Sequence, residues 1–342
     1  INFNRDIRPV LSENCFYCHG QDASKRKGDL RLDDAHSATA AKAIIAHDAD
    51  ASLVIARINS SDPDELMPPP SSNRQLSAEQ KELLRRWIDE GAEFDTHWAF
   101  MPPNRPSVPA VRHVRWPRNA IDHFVLAKLE AHQRAPSPEA ERAILIKRLS
   151  IDLTGLPPSP AEVDVFVNDP DPYAYEHLVD RLMKSQHYGE RMALPWLDAA
   201  RYADSNGFQQ DGDTWQWMWR DWVVRALNDD LPFDQFTIWQ LAGDLLPDAT
   251  LDQKIASGFN RNHLLNGEGG AIPEEQRFVV LFDRIDTTAT TWLGLTMACA
   301  QCHDHKYDPI TQRDYYSLMD AFNHVPETGT PQRQSAKIRV AK

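Results

Sequence analysis

Cys15-Phe16-Tyr17-Cys18-His19 lies near the start of the chain, and Cys299-Ala300-Gln301-Cys302-His303 repeats its pattern near the other end. The two pentapeptides hold all four cysteines. C-x-x-C-H is the attachment signature of c-type haem. Two thiols at this spacing can add to the two vinyl groups of one porphyrin, and the next residue presents an imidazole to the iron from the proximal side. A disulfide and a zinc half-site are the competing readings of each cysteine pair. Zinc wants four tight ligands, and residues 1–97 bring two cysteines with His19 beside them. A thioredoxin-like motif needs a βαβ context that is missing. A motif can also be retained without haem. The expectation is two covalently attached haem c groups, one on Cys15, Cys18 and His19, the other on Cys299, Cys302 and His303.

The distal ligand of the first iron should come from later in the same segment. Met67 is the single methionine of residues 1–97 and sits in Leu66-Met67-Pro68-Pro69-Pro70. A thioether there favours ferrous iron and raises the reduction potential. Filling a gap in the core is the competing role for a lone methionine, and His36 and His47 are rival ligands. For the second iron, His263 is the candidate distal ligand and His187 a second one. A purely structural His263 is the alternative. His305 is too near His303 in sequence to reach the opposite face easily. It fits a propionate contact, an orienting role or a substrate contact. Without a sixth side chain, that iron would be open to a small molecule.

Working outward, residues 1–97 read as a small α-rich domain. Ile7, Val10 and Leu11 form an apolar stripe before the first motif. Ser77 with Gln80 makes a capping box for a helix burying Leu83, Leu84, Trp87 and Ile88, and Gly91 is placed to end it. Residues 98–118 read as a linker, because Met101–Pro109 has four prolines in nine residues. From 119 to 329 helical patterns dominate. Ile121, Phe124, Val125 and Leu129 form one stripe, and Ser159 with Glu162 makes another capping box. Leu178, Leu182 and Met183 form a further face, as do Trp222, Val223, Ala226 and Leu227. A long helical pattern runs from Pro273 to Cys299. Residues 330–342 are a tail. The fold class is mainly α: a small class I-like cytochrome c domain, then a larger, mostly α-helical haem-associated domain.

The net charge of −13 argues against nucleic acid or an anionic membrane as the main partner. No run approaches the roughly 18 apolar residues of a transmembrane segment. The chain begins at Ile1 with no basic-plus-apolar leader, which reads as a signal peptide already removed. Haem attachment needs export-side assembly, so a periplasmic or otherwise extracytoplasmic location follows if the haems are real.

The residues resemble the planctomycete-type cytochrome c proteins. The first part of the likeness is Asn14–Gly20, Gly28–Asp33, Met67-Pro68-Pro69 and Trp87–Ala92. The second is Asp152–Pro158, Ala200–Asp204, Pro232–Phe236, Gln240–Pro247, Asn266–Gly270, Asp286–Thr288 and Cys299–Pro309. The resemblance implies an N-terminal cytochrome c domain followed by the family's second cytochrome-associated domain. Longer members carry a third, C-terminal domain. That missing domain or a redox partner protein is the implied partner, and a carbohydrate the possible substrate.

Trp215, Trp217, Trp219 and Trp222, beside Asp211, Asp213, Arg220 and Asp221, suit either a sugar cleft or packing around haem. Glu268 in a glycine-rich loop, with Glu274 or Asp244, could be an acid–base pair or calcium ligands. Asp283-Arg284-Ile285-Asp286 reads as an ion-pair set. The functional expectation is a periplasmic dihaem cytochrome coupled to oxidation of an extracytoplasmic substrate such as a carbohydrate. The alternatives are a carbohydrate-binding or hydrolytic module, or a peroxidase-like enzyme with an open second iron.

Overall fold

The computed structural model describes residues 1–208 and 211–324, so the expected tail at 330–342 lies outside the described residues. The protein is mainly α, as expected. Among the described residues the β structure is one isolated bridge, Ser205 to Asp213. Ile1–Pro102 packs with the described residues from Arg277 on into one compact unit, and Pro103–Gln276 forms a second. This packing division crosses the sequence segments 1–97 and 119–329. Residues 277–324 belong to the second segment but pack with the first, for reasons given by the contacts around the second motif.

In the first unit, α1 (Arg8–Asn14) leads through Cys15 into the single turn α2 (Phe16–His19). Ile7, Val10, Leu11 and Phe16 are buried in one core. After α3 (Ala35–Ala40) and α4 (Leu53–Ile58), α5 (Ala78–Asp89) starts at the expected box. There Ser77 Oγ accepts from the Gln80 amide, and the Gln80 side chain accepts from the Ser77 amide. Leu84, Trp87 and Ile88 of α5 join the core, with Leu83 against it. Trp87 lies 5.6 Å from Phe3 and 5.1 Å from Phe94 between ring centres, and its indole N–H donates to the Glu93 carbonyl at 3.2 Å. The N-terminal turn, α5 and the segment after it are thereby locked together.

The second unit contains α6 (Ala120–Ala131), α7 (Arg142–Thr154), α8 (Pro160–Asn168), α9 (Ala174–Met183), α10 (Gln186–Ala199), α11 (Trp217–Asn228), α12 (Phe233–Ala242) and α13 (Leu251–Ala256). The Ser159–Glu162 capping box is present. Helices α10 and α11 approach closely at Gly189, where an added Cβ would stand 2.4 Å from the Val224 carbonyl oxygen. Leu178 and Leu182 are buried, while Met183 is exposed. The α6 stripe differs from expectation. Leu126 is the buried residue, and Ile121, Phe124 and Val125 stand exposed.

Helix α14 (Pro273–Thr288) is shorter than the pattern from Pro273 to Cys299 suggests. It passes into a π-helical turn, Ala289–Leu293, and stops at Gly294 with φ +63°. The run of β-branched Thr287, Thr288, Thr290 and Thr291 weakens the helix, and the left-handed glycine ends it. Helix α15 (Gln312–Phe322) follows the second motif and begins at a Thr311–Asp314 capping box.

Candidate functional site: two attachment motifs in one compact unit

The first motif is shaped by local bonds. The Cys15 amide donates to the Leu11 carbonyl at 2.7 Å, and the His19 amide to the Cys15 carbonyl at 2.9 Å. This turn places both cysteines and the histidine within one helical wrap. The following loop closes back on it, with Lys27 N–H on Cys18 O and Leu32 N–H on His19 O, both at 2.8 Å. Gly20 is required where the turn ends, since a Cβ there would lie 2.4 Å from the Phe16 carbonyl oxygen.

The chemistry of the first site fits a thioether-bound porphyrin. Cys15 packs against the apolar core. Burial pushes its thiol up to about 12, and Arg74 offsets this only partly. The thiol is thus protonated, a poor zinc ligand, and no disulfide joins the cysteines. His19 Nδ1 is buried without a hydrogen-bond partner. Burial lowers the imidazole pKa, opposed by the Lys27 and Leu30 carbonyls. The imidazole is thus embedded in protein and keeps one buried ring nitrogen unbonded. Met67 is 36% exposed, so it is not a core gap-filler. His36 and His47 are on the surface, His47 with its Nδ1 3.3 Å from the Asp89 carbonyl.

The second motif has a different environment. Cys299 and Cys302 are exposed and unpaired. Its backbone is held from α15, where the Gln312 side chain and the Tyr316 hydroxyl both donate to the Gln301 carbonyl at 3.1 Å. Beneath it lies a small core of Ile285, Ala289, Met297, Ala300, Ile310 and Tyr315. His305 is only 5% exposed. Its Nδ1 accepts from the amides of Tyr307 and Asp308, so the ring organises the 304–310 loop. The donor set of two free thiols and an adjacent imidazole fits a second attachment.

Residues of the first segment clamp that loop. Gln21 donates to the carbonyls of His305 and Asp308. Arg8 donates to Tyr307 O at 3.4 Å, and His97 Nε2 lies 3.1 Å from Asp308 Oδ1. Asp22 Oδ2 lies 3.7 Å from His303 Nδ1. Lys306 sits 5.1 Å and Arg74 5.7 Å from the centre of the Tyr17 ring, inside the first motif. The two motifs are therefore neighbours. Sequence reasoning missed Arg8, Gln21, Asp22, His97 and Asp308, because contacts spanning 284 positions leave no periodic trace.

The remaining candidates lie elsewhere. His263 and His187 belong to the second unit. His263 Nδ1 is 3.0 Å from the Leu264 carbonyl, and His187 Nδ1 is 2.7 Å from Glu190. The tryptophans divide: Trp219 and Trp222 are core, whereas Trp215 and Trp217 are 78% and 48% exposed. Nearby, Tyr202 donates to Asp204 at 2.6 Å, and Arg220 reaches Tyr202 and Asp221 at 3.2 and 2.9 Å. Asp244 is 3.5 Å from Arg261, and Glu268 is exposed. Among the described residues, no group of three or more His, Cys, Asp or Glu side chains could hold a metal ion. Nor is any described helix long and apolar enough to cross a membrane.

The α-helical first unit, with a haem-attachment turn on its first helices, defines a cytochrome-type protein. Residues 15–71 match the family described as Planctomycete cytochrome C, which implies covalently bound haem c. Residues 120–327 match PSCyt2, described as a protein of unknown function, and the chain belongs to that family. No curated protein and no solved structure matches it.

Proposed function

We propose that the protein is an extracytoplasmic electron-transfer cytochrome carrying two haem c groups in its first unit. The observation that carries this reading is the apposition of the two C-x-x-C-H turns through Gln21, Asp22 and Lys306. Cys15 and Cys18 would hold the first group, with His19 as proximal and Met67 as distal ligand. Cys299, Cys302 and His303 would hold the second. Haem c, when bound, supplies a one-electron iron couple. The chain's own residues seal the first histidine's Nδ1 in protein, hold the second motif's backbone, and keep the two motifs adjacent. Intact mass under denaturing conditions tests the count. Two haem increments are expected, and a single increment refutes the dihaem reading. Fractionation of expressing cells should place the mature protein outside the cytoplasm.

A carbohydrate as the coupled substrate is favoured by the exposed Trp215 and Trp217. Flat indoles beside the Asp204, Arg220 and Asp221 polar network suit stacking on sugar rings with hydrogen bonds at the edge. Oligosaccharide binding followed by tryptophan fluorescence, lost in Trp215→Ala, would support this. Unchanged binding in that variant would remove it.

A further inference from the structure

The two proximal histidines differ at Nδ1. His19 has no hydrogen-bond partner there, whereas His303 Nδ1 faces two oxygens. One is the Asp304 carbonyl at 2.7 Å and the other is Asp22 Oδ2 at 3.7 Å. Asp22 is only 8% exposed. Its other oxygen, Oδ1, accepts from the Ser24 amide at 2.9 Å and the Ser24 hydroxyl at 2.7 Å. The carboxylate is thus anchored on one side and aimed at His303 with the other. Gln21, the preceding residue, is tied to the carbonyls of His305 and Asp308, which fixes the register of the two segments. The Asp304 carbonyl, within hydrogen-bond distance, holds the proton on Nδ1 and leaves the Nε2 lone pair for coordination, while the Asp22 carboxylate adds its negative charge from 3.7 Å.

We infer that Asp22, from the first cytochrome segment, is the positioning residue of the second haem site, orienting His303 and lowering that haem's reduction potential. The inference rests on the two-haem reading. A carboxylate on the far nitrogen of a ligating imidazole fixes the tautomer and raises ligand basicity. A more basic ligand favours the ferric state, and hydrogen bonding around the axial ligand is one of the protein's levers on potential. The second site is therefore incomplete without a residue of the first segment. The two haems are also split in potential: His303 with Asp22 lies lower, and His19 with the thioether of Met67 lies higher.

The test uses the full chain with haem attached, in a spectroelectrochemical titration resolving the two components. Asp22→Asn should raise the potential of the second haem by the equivalent of a tenfold or larger change in its reduced-to-oxidised ratio, about 59 mV for one electron. The first haem should stay put. Asp29→Asn removes the same charge from a side chain 98% exposed on the same loop, and should move neither haem. An unmoved second component in Asp22→Asn, or an equal shift in Asp29→Asn, overturns the inference. A haem-free readout separates this from failure of the two-haem reading. In apo-protein, nitrogen NMR of His303 should show the Nδ1-protonated tautomer, with its share reduced in Asp22→Asn because only the Asp304 carbonyl then remains to hold that proton. If mass shows haem on the first motif alone, the two-haem reading fails and this measurement judges Asp22, with an unchanged tautomer overturning it.

Discussion

Trp87→Ala should cost the first unit about 4 kcal/mol. Trp87 is 2% exposed, and its indole fills the space between Phe3 and Phe94 at 5.6 and 5.1 Å. Truncating a buried Trp to Ala costs about 3–5 kcal/mol through lost transfer energy and the cavity left behind. The indole N–H also satisfies the Glu93 carbonyl at 3.2 Å, a bond worth about 1 kcal/mol that overlaps this total. Domain stabilities are about 5–15 kcal/mol, so the loss is a large share. Guanidinium denaturation followed by far-UV circular dichroism measures it. Trp98, 67% exposed, is the comparison, and Trp98→Ala should cost below about 1 kcal/mol. Equal midpoint shifts in the two variants would refute the argument that α5 is locked to the N-terminal turn through this indole. Because both attachment motifs belong to this unit, Trp87→Ala should also reduce the fraction of chains recovered with haem.

Gly20→Ala should destabilise the first unit by about 1–3 kcal/mol, because its Cβ would meet the Phe16 carbonyl at 2.4 Å; haem incorporation measured by absorbance should fall with it. Met67→Ala should lower the first haem's potential and admit carbon monoxide to the reduced iron, and an unchanged spectrum would remove Met67 as ligand. Burial, with Asp283 adding to it, raises the Asp286 carboxyl from 3.8 to about 6. Ionisation is therefore harder in the folded state. The resulting destabilisation is absent below the unfolded value, grows between the two, and is complete above the folded one. Asp286→Asn should stabilise by about 1 kcal/mol near pH 8, after discounting for solvent, and leave stability near pH 3.5 unchanged; thermal melts at the two pH values check the sign.

Much of the local structure was legible in the residues alone. The attachment turn needs only Cys, Cys and His at i, i+3 and i+4, and backbone bonds within five residues build it. The Ser77–Gln80 and Ser159–Glu162 boxes formed as read, because a cap is decided by side chains three positions apart. The α5 face was readable because 3.6-residue periodicity reports directly on burial. Other patterns misled. The α6 stripe of Ile121, Phe124 and Val125 is periodic yet exposed, since periodicity says which residues share a face but not what covers it. The helix toward Cys299 broke at a threonine-rich turn and Gly294, where local chemistry overrode the apolar pattern.

The sequence by itself determined the mainly α class and the two C-x-x-C-H turns, with the thiols and imidazoles they offer. Tertiary structure alone decided that the second turn packs with the first segment and that its histidine meets Asp22. It also decided which tryptophans are core and which face solvent. The physical reason is range. Attachment and capping depend on neighbours within one helical turn, whereas the Asp22–His303 contact joins residues from opposite ends of the chain. That contact is specified by the packing of whole segments and by no pattern within either.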